Sequence, residues 1–127
     1  MSIQLNHTIV SARDPQVSAA FLAEILGRPA PVRFGPFHGV ELDNGVTLDF
    51  MRDEGELVIQ HYAFLVSEDE FDEIFDRIKA RKLAYWADPG HRQPGVINHG
   101  EGGRGVYWDD PDGHRLEILT RPYSSAA

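Results

Sequence analysis

Two histidines interrupt apolar rows of residues on predicted strands. Because side chains alternate along a strand, His7 shares a face with Leu5 and Ile9, and His61 shares one with Ala63. A neutral imidazole is the commonest metal ligand among side chains. His7 and His61 are therefore the first candidates for chemistry.

Glu117 supplies a carboxylate on the last predicted strand, where it shares a face with Leu119. Burying an ionised carboxylate without a partner costs several kcal/mol, and a divalent cation is one suitable partner. Two histidines and one carboxylate with open positions is the arrangement used for ferrous iron, and it also suits Mn²⁺, Zn²⁺ or Ni²⁺. The sequence therefore predicts a divalent-metal site made by His7, His61 and Glu117, with Fe²⁺ favoured.

An internal repeat relates these residues. Residues 5–27 and 59–81 share the order of alternating strand, helix cap and amphipathic helix, and His7 and His61 occupy the same place in each. Further along, the segment NGVTLD that ends at Asp49 matches the segment DGHRLE that ends at Glu117. Equivalent strands of a doubled unit meet at the axis between the halves, so the repeat predicts that the ligands converge. Whether Asp49 is a fourth ligand stays open.

Two amphipathic helices accompany the strands. Asp14 is expected to cap the first helix, which ends at Gly27, and Ser67 with Glu70 forms a capping box for the second. Helical spacing predicts a buried face on the first helix, made of Val17, Ala20, Phe21 and Ile25. It predicts a buried stripe on the second, made of Phe71, Ile74, Phe75 and Ile78.

The strand pattern defines the fold class. Strands are predicted at about 3–10, 38–43, 46–52, 57–66, 83–87, 104–109 and 114–120, with one more near 31–34. Each half then has the order βαβββ and is too short to bury a secure core alone. We therefore expect one α+β domain over residues 1–127, in which modules at about 1–55 and 56–123 pair into a curved, incomplete barrel and 124–127 form a tail. Residues 88–103, rich in Gly and Pro, are expected to form a loop and a candidate lid.

Composition narrows the partners. The chain has 127 residues, with 20 acidic against 12 basic side chains and a net charge of −8, which disfavours nucleic acid and anionic membranes. It has no cysteine, which excludes disulfides and thiolate metal sites. No apolar run is long enough to cross a membrane, and no signal-peptide core precedes the first strand, so a cytoplasmic location and a small-molecule substrate are expected.

The chain resembles the vicinal oxygen chelate superfamily, which includes glyoxalases, bleomycin-resistance proteins and extradiol dioxygenases. The residues that carry the resemblance are His7 in LNHTIV, His61 in QHYAFLV and Glu117 in VYWDDPDGHRLEIL. The resemblance implies paired βαβββ modules around a cup, a divalent metal at its centre, and a substrate that chelates the metal through adjacent oxygens. It also implies a homodimer.

Ring-cleaving dioxygenase chemistry is slightly favoured. Residues 97–99 and 106–117 are similar to the extradiol dioxygenase signature, which implies that Tyr107 orients a substrate oxygen and that His99 shuttles protons. The chain departs from that family because residues 53–60 contain no histidine.

Three other functions stay open. The first-strand histidine, HYAF and DPDGHRLE are also similar to fosfomycin-inactivating enzymes, although Ile9 stands where those enzymes have a threonine. In that case Arg104 and Arg121 are candidates to hold an anionic substrate. A glyoxalase-type isomerase would use Asp49 as a further ligand, and a drug-binding protein would carry out no reaction.

Overall fold

The computed structural model describes residues 2–123, so the predicted tail at 124–127 lies outside the described residues. The chain separates into two compact units, with the boundary between Val58 and Ile59. Across residues 2–123, neither helix has the length and apolar character needed to cross a bilayer.

The first unit contains one helix and four strands: β1 (His7–Ala12), α1 (Pro15–Leu26), β2 (Val32–Phe34), β3 (Phe37–Glu41) and β4 (Thr47–Arg52). The sheet order is β1-β4-β3-β2, with β1 parallel to β4 and the other pairs antiparallel. Asp14 caps α1 by accepting a hydrogen bond from the Val17 N–H, and Gly27 ends it at a positive φ of 71°, both as predicted.

The predicted buried face of α1 was only partly right. Val17 is exposed, and Ala20 and Phe21 are half-buried, whereas the helix buries its other face. The buried side chains include Ser18, Ala19, Leu22, Ala23 and Ile25. Small residues dominate this face and allow close approach of α1 to β1, β3 and β4. Close packing against the sheet therefore determines which face of α1 is buried, although Val17 and Phe21 are larger.

The second unit contains β5 (His61–Leu65), α2 (Glu68–Ala80), a short 3-10 helix (Gly100–Gly102), β6 (Gly105–Asp109) and β7 (Arg115–Leu119). The sheet order is β5-β7-β6, with β5 parallel and β6 antiparallel to the central β7. On α2, Phe71, Ile74 and Ile78 are buried as predicted, while Phe75 is half-buried. These two units, each with one sheet and one long helix, confirm the predicted α+β fold.

The predicted strand at residues 83–87 is reduced to isolated bridges. Trp86 exchanges backbone hydrogen bonds with Tyr107 of β6, at 2.9 and 2.8 Å. The chain then turns, because the Asp88 carboxylate accepts hydrogen bonds from the N–H groups of Arg92 and Gln93. Local side-chain capping therefore replaces the ladder that a longer strand would need.

The sheet register confirms the internal repeat. In the parallel pair of β1 and β4, Ile9 lies beside Asp49, and in the parallel pair of β5 and β7, Ala63 lies beside Glu117. His7 lies two residues before Ile9, and His61 lies two residues before Ala63. Because side chains alternate along a strand, each histidine is on the same face of its sheet as the residue paired with the carboxylate.

The capping box of α2 provides a stability prediction. Ser67 Oγ accepts from the Glu70 N–H at 3.1 Å, and Glu70 Oε1 accepts from the Ser67 N–H at 2.8 Å. Ser67→Ala leaves the first of these donors without its acceptor, so we expect the free energy of unfolding to fall by about 1 kcal/mol. Ser67→Asn keeps an acceptor and should retain most of that stability. Urea unfolding followed by circular dichroism measures both, and equal losses in the two variants would contradict the capping role.

Candidate metal centre

The three-stranded sheet brings His61, Tyr107 and Glu117 together. The central strand β7 carries Glu117, directly opposite Tyr107 of β6 and beside Ala63 of β5. His61 lies two residues before Ala63 and therefore on the same face of β5. The rings of His61 and Tyr107 stack with centroids 5.8 Å apart and an interplanar angle of 24°.

Glu117 is the buried anion of this cluster. Its side chain is 1% exposed. Its Oε1 lies 3.0 Å from His61 Nε2, and its Oε2 accepts a 2.5 Å hydrogen bond from the Tyr123 hydroxyl. A buried carboxylate needs such partners, because an unpaired one would cost several kcal/mol.

The second ring nitrogen of His61 determines what Nε2 can do. His61 Nδ1 lies 3.2 Å from the Arg115 backbone carbonyl, which can only accept, so Nδ1 carries the proton. In a neutral imidazole Nε2 then has a lone pair, and it faces a carboxylate oxygen. Two such electron-pair donors approach closely only when a proton or a cation lies between them.

The distance between these donor atoms suits a divalent metal. Two ligands about 2.1 Å from one ion and at right angles to each other lie about 3.0 Å apart. His61 Nε2 and Glu117 Oε1 are separated by 3.0 Å. The two atoms are at hydrogen-bond distance, and the same separation is that of two neighbouring ligands of an octahedral cation. The carbonyl on Nδ1 is the kind of outer partner that metal-binding histidines typically have.

His7 belongs to the other unit and shows the same preparation. It begins β1, is exposed, and has Nδ1 2.7 Å from the side-chain oxygen of Asn6, which leaves the lone pair of Nε2 free of that contact. Among the described residues 2–123, no group of three or more His, Asp or Glu side chains that could hold a metal ion is found. The predicted triad takes ligands from both units, so the meeting of His7 with His61 and Glu117 stays a prediction. Half-buried Asp49 also stays an untested fourth ligand.

Two tyrosine hydroxyls extend the cluster. The Tyr107 hydroxyl lies 3.0 Å from that of Tyr123. Burial raises the pKa of Tyr107 above the ordinary 10.0, and the hydrogen bond to Tyr123 and the charge of Glu117 raise it further. Burial and the hydrogen bond to Glu117 also raise the pKa of Tyr123. Both phenols are therefore neutral hydrogen-bonding groups at neutral pH.

Tyr123 is the site residue that sequence reasoning missed. It follows the last strand in the segment RPY, outside any periodic pattern or family motif that we used. The only available signal was its type, since a tyrosine soon after Glu117 can reach back to a carboxylate. No local rule distinguishes it from a tyrosine in a solvated tail.

The remaining predicted site residues lie elsewhere in the second unit. His99 precedes the short 3-10 helix, is exposed, and makes no side-chain capping hydrogen bond. Arg104 donates to Glu68 Oε1 and Asp72 Oδ1 of α2, both at 2.8 Å, so an anionic substrate would compete with two carboxylates. Arg121 is exposed. The catalytic role of His99 and the substrate-binding roles of both arginines stay predictions.

A second polar cluster adjoins the metal centre. The His91 ring stacks on Trp86 with centroids 3.6 Å apart, and its Nε2 lies 2.5 Å from Arg115 Nη1. Asp109 Oδ1 is 3.3 Å from both of these nitrogens. Since the Arg115 carbonyl also holds His61, this cluster joins the loop at residues 88–103 to a candidate ligand.

Comparison with known proteins identifies the family of the chain. Residues 4–118 match the sequence model of the Glyoxalase/Bleomycin resistance protein/Dioxygenase superfamily. The solved structure of Oxidase ChaP-H1 is 64% identical, with a TM-score of 0.95 over 98% of this chain and 100% of that one. Metallothiol transferase FosB of Lysinibacillus sphaericus is 29% identical over 94% of this chain and 84% of its own length. Glutathione transferase FosA of Serratia marcescens is 31% identical over 90% and 78%.

The raised pKa of Tyr107 predicts alkaline destabilisation. As the pH rises past the ordinary value of 10.0, the unfolded chain loses the Tyr107 proton before the folded chain does. The stability linked to this group is therefore complete below about pH 10 and declines above it. The free energy of unfolding of the wild type, relative to that of Tyr107→Phe, should fall as the pH rises above this value. The full effect of one group is about 1.4 kcal/mol per pH unit, and we expect only a fraction of it because solvent near Tyr123 screens the interaction. Urea unfolding of both proteins at about pH 8 and about pH 11 measures it, and a stability difference that stays constant would refute it.

Proposed function

Because the chain belongs to the Glyoxalase/Bleomycin resistance protein/Dioxygenase superfamily, we propose that it is a divalent-metal-dependent oxidase. Its substrate is a small molecule that chelates the metal through adjacent oxygen atoms, such as a catechol. The observation that carries this proposal is the 3.0 Å separation of His61 Nε2 and Glu117 Oε1, beside the Tyr107 hydroxyl cluster. We assign the metal as Fe²⁺ held by His7, His61 and Glu117, ahead of Mn²⁺, Zn²⁺ or Ni²⁺.

The choice of oxygen chemistry is supported by similarity. The chain is 64% identical to a protein named an oxidase, against 29% and 31% for two proteins named as transferases. When bound, ferrous iron supplies the redox chemistry for dioxygen and polarises the substrate oxygens. Extradiol-type ring cleavage is the form of this chemistry that we favour.

The chain's own residues position the substrate and control its protons. Tyr107 is 7% exposed and presents its hydroxyl beside the donor pair, where it can hydrogen-bond a substrate oxygen. Burial of Tyr107 and Glu117 keeps water from these polar atoms and strengthens their interactions. We propose His99 as the proton shuttle and Arg104 and Arg121 as contacts for an anionic group of the substrate.

A thiol-transfer or epoxide-opening enzyme is the second candidate. It is favoured by the full-length similarity to FosB, which covers 94% of this chain. The same donor pair would then hold a cation that polarises a phosphonate rather than a catechol. We further propose that the protein is a homodimer, since Ile9 and Leu65 are large apolar side chains that remain exposed on β1 and β5. We also propose that it is cytoplasmic, which rests on the sequence alone.

Loading with iron tests the oxidase directly. We expect the anaerobically Fe²⁺-loaded protein to consume oxygen and form a coloured ring-opened product when a catechol is added. His61→Ala and Glu117→Ala each remove a proposed ligand, so they should lower metal affinity by more than about 100-fold. Loss of an outer hydrogen-bond partner alone costs up to about 100-fold. The control is Tyr85→Phe, since Tyr85 contacts Phe75 of α2 and not the metal centre. No oxygen uptake by the iron-loaded wild type across several catechols would remove this proposal.

A thiol-transfer assay separates the second candidate. We expect fosfomycin to remain intact when it is incubated with the Mn²⁺-loaded protein and glutathione or cysteine. Mass spectrometry of the small molecules measures this. A thiol adduct or a hydrated product that depends on both the metal and Glu117 would favour the transferase over the oxidase.

A further inference from the structure

We propose that Tyr123 is a positioning residue of the metal centre. Its hydroxyl donates to one oxygen of Glu117, so that only the other is left for the cation, and its oxygen accepts the hydrogen bond of Tyr107. This inference rests on the proposed function, because it assumes that Glu117 is a metal ligand.

The two oxygens of Glu117 have different partners. Oε2 accepts the 2.5 Å hydrogen bond from Tyr123, whereas Oε1 faces His61 Nε2 at 3.0 Å. A short hydrogen bond to a carboxylate is among the stronger ones in proteins. Tyr123 therefore favours one-oxygen binding of a cation by Glu117, which leaves one more coordination position for substrate or dioxygen.

The same bond fixes the direction of the hydrogen-bond chain. A carboxylate only accepts, so the Tyr123 proton points at Glu117 and the Tyr123 oxygen must accept from Tyr107. A phenol has one proton, so the Tyr107 oxygen is left with lone pairs. Tyr107 therefore favours a substrate that brings its own hydroxyl proton, such as a protonated phenol, over one that presents only acceptor oxygens.

Tyr123 is held for this role by its hydroxyl more than by its ring. The residue is 61% exposed as a whole, so its ring contributes little packing, and its partial burial is where the hydroxyl meets Glu117. The preceding backbone is fixed, because the Thr120 N–H donates to the Arg104 carbonyl at 2.9 Å and the Arg104 N–H donates to Thr120 Oγ1 at 2.8 Å. Pro122 then restricts the chain between that anchor and Tyr123. Removing the Tyr123 hydroxyl should therefore change the metal centre without unfolding the unit.

The experiment compares Tyr123→Phe with the wild type, using Co²⁺ as the probe. We expect Co²⁺ to bind Tyr123→Phe about 10-fold more weakly, since outer partners of ligands contribute at least this much to affinity. The visible spectrum of bound Co²⁺ should also change, because Glu117 can then offer both oxygens. Tyr85→Phe is the matched control and should leave affinity and spectrum as they are.

The direction of the chain is tested with two ligands of the Co²⁺ protein. Catechol brings hydroxyl protons, whereas the acetylacetone enolate presents only acceptor oxygens. Tyr123→Phe frees the Tyr107 proton, so acetylacetone should bind more tightly relative to catechol than it does in the wild type. A purely structural role for Tyr123 would not change this ratio.

The outcomes separate this inference from the proposed function. If the wild type binds no divalent cation, the proposed function fails. If the wild type binds Co²⁺ and Tyr123→Phe matches it in affinity, or if the ratio of ligand affinities stays the same, the role of Tyr123 is overturned and the metal centre stands.

Discussion

The second unit is organised around one buried charge. Glu117 lies on the central strand β7 and is 1% exposed, so its carboxylate cannot rely on water. The strand on one side supplies His61, and the segment after β7 returns Tyr123 to the other oxygen. A buried carboxylate without a partner would cost several kcal/mol, so the folded state is favoured when both His61 and Tyr123 contact Glu117. The same coupling gives the centre its preorganised donor atoms, which is what a catalytic site requires.

The two halves share an equivalent histidine but differ in the carboxylate that accompanies it. Both parallel strand pairs have the same register, and both histidines engage Nδ1 with an oxygen, so each half presents one imidazole prepared for ligation. The carboxylates are not equivalent, since Asp49 is one methylene shorter than Glu117 and faces Gly39 across the β3–β4 pair. Of these two carboxylates, Glu117 is the one that is buried and takes part in the hydrogen-bond chain with Tyr123 and Tyr107. The proposed ligand set of one histidine from each half and one carboxylate from the second has the composition of a facial triad.

Local signals in the sequence predicted the features that depend on local physics. Both helix caps follow from spacing within a few residues, and the equivalence of His7 and His61 follows from the internal repeat. The buried face of α1 could not be predicted in this way. Ala19 and Ala23 are buried because small side chains allow close packing against the sheet, and not because they are the most hydrophobic residues of the helix. Tyr123 and the ion pairs of Arg104 were also beyond reach, since each depends on how a distant segment returns to the sheet.

The loop at residues 88–103 is connected to the candidate ligand through Arg115. His91 has a φ of 59°, a left-handed conformation that costs about 1–3 kcal/mol for a residue other than glycine and persists only where the surroundings fix it. Stacking on Trp86 and the contact with Arg115 Nη1 supply that constraint. The carbonyl of the same Arg115 orients His61. Arg115 of β7 therefore contacts the loop through its guanidinium and the candidate ligand through its backbone carbonyl.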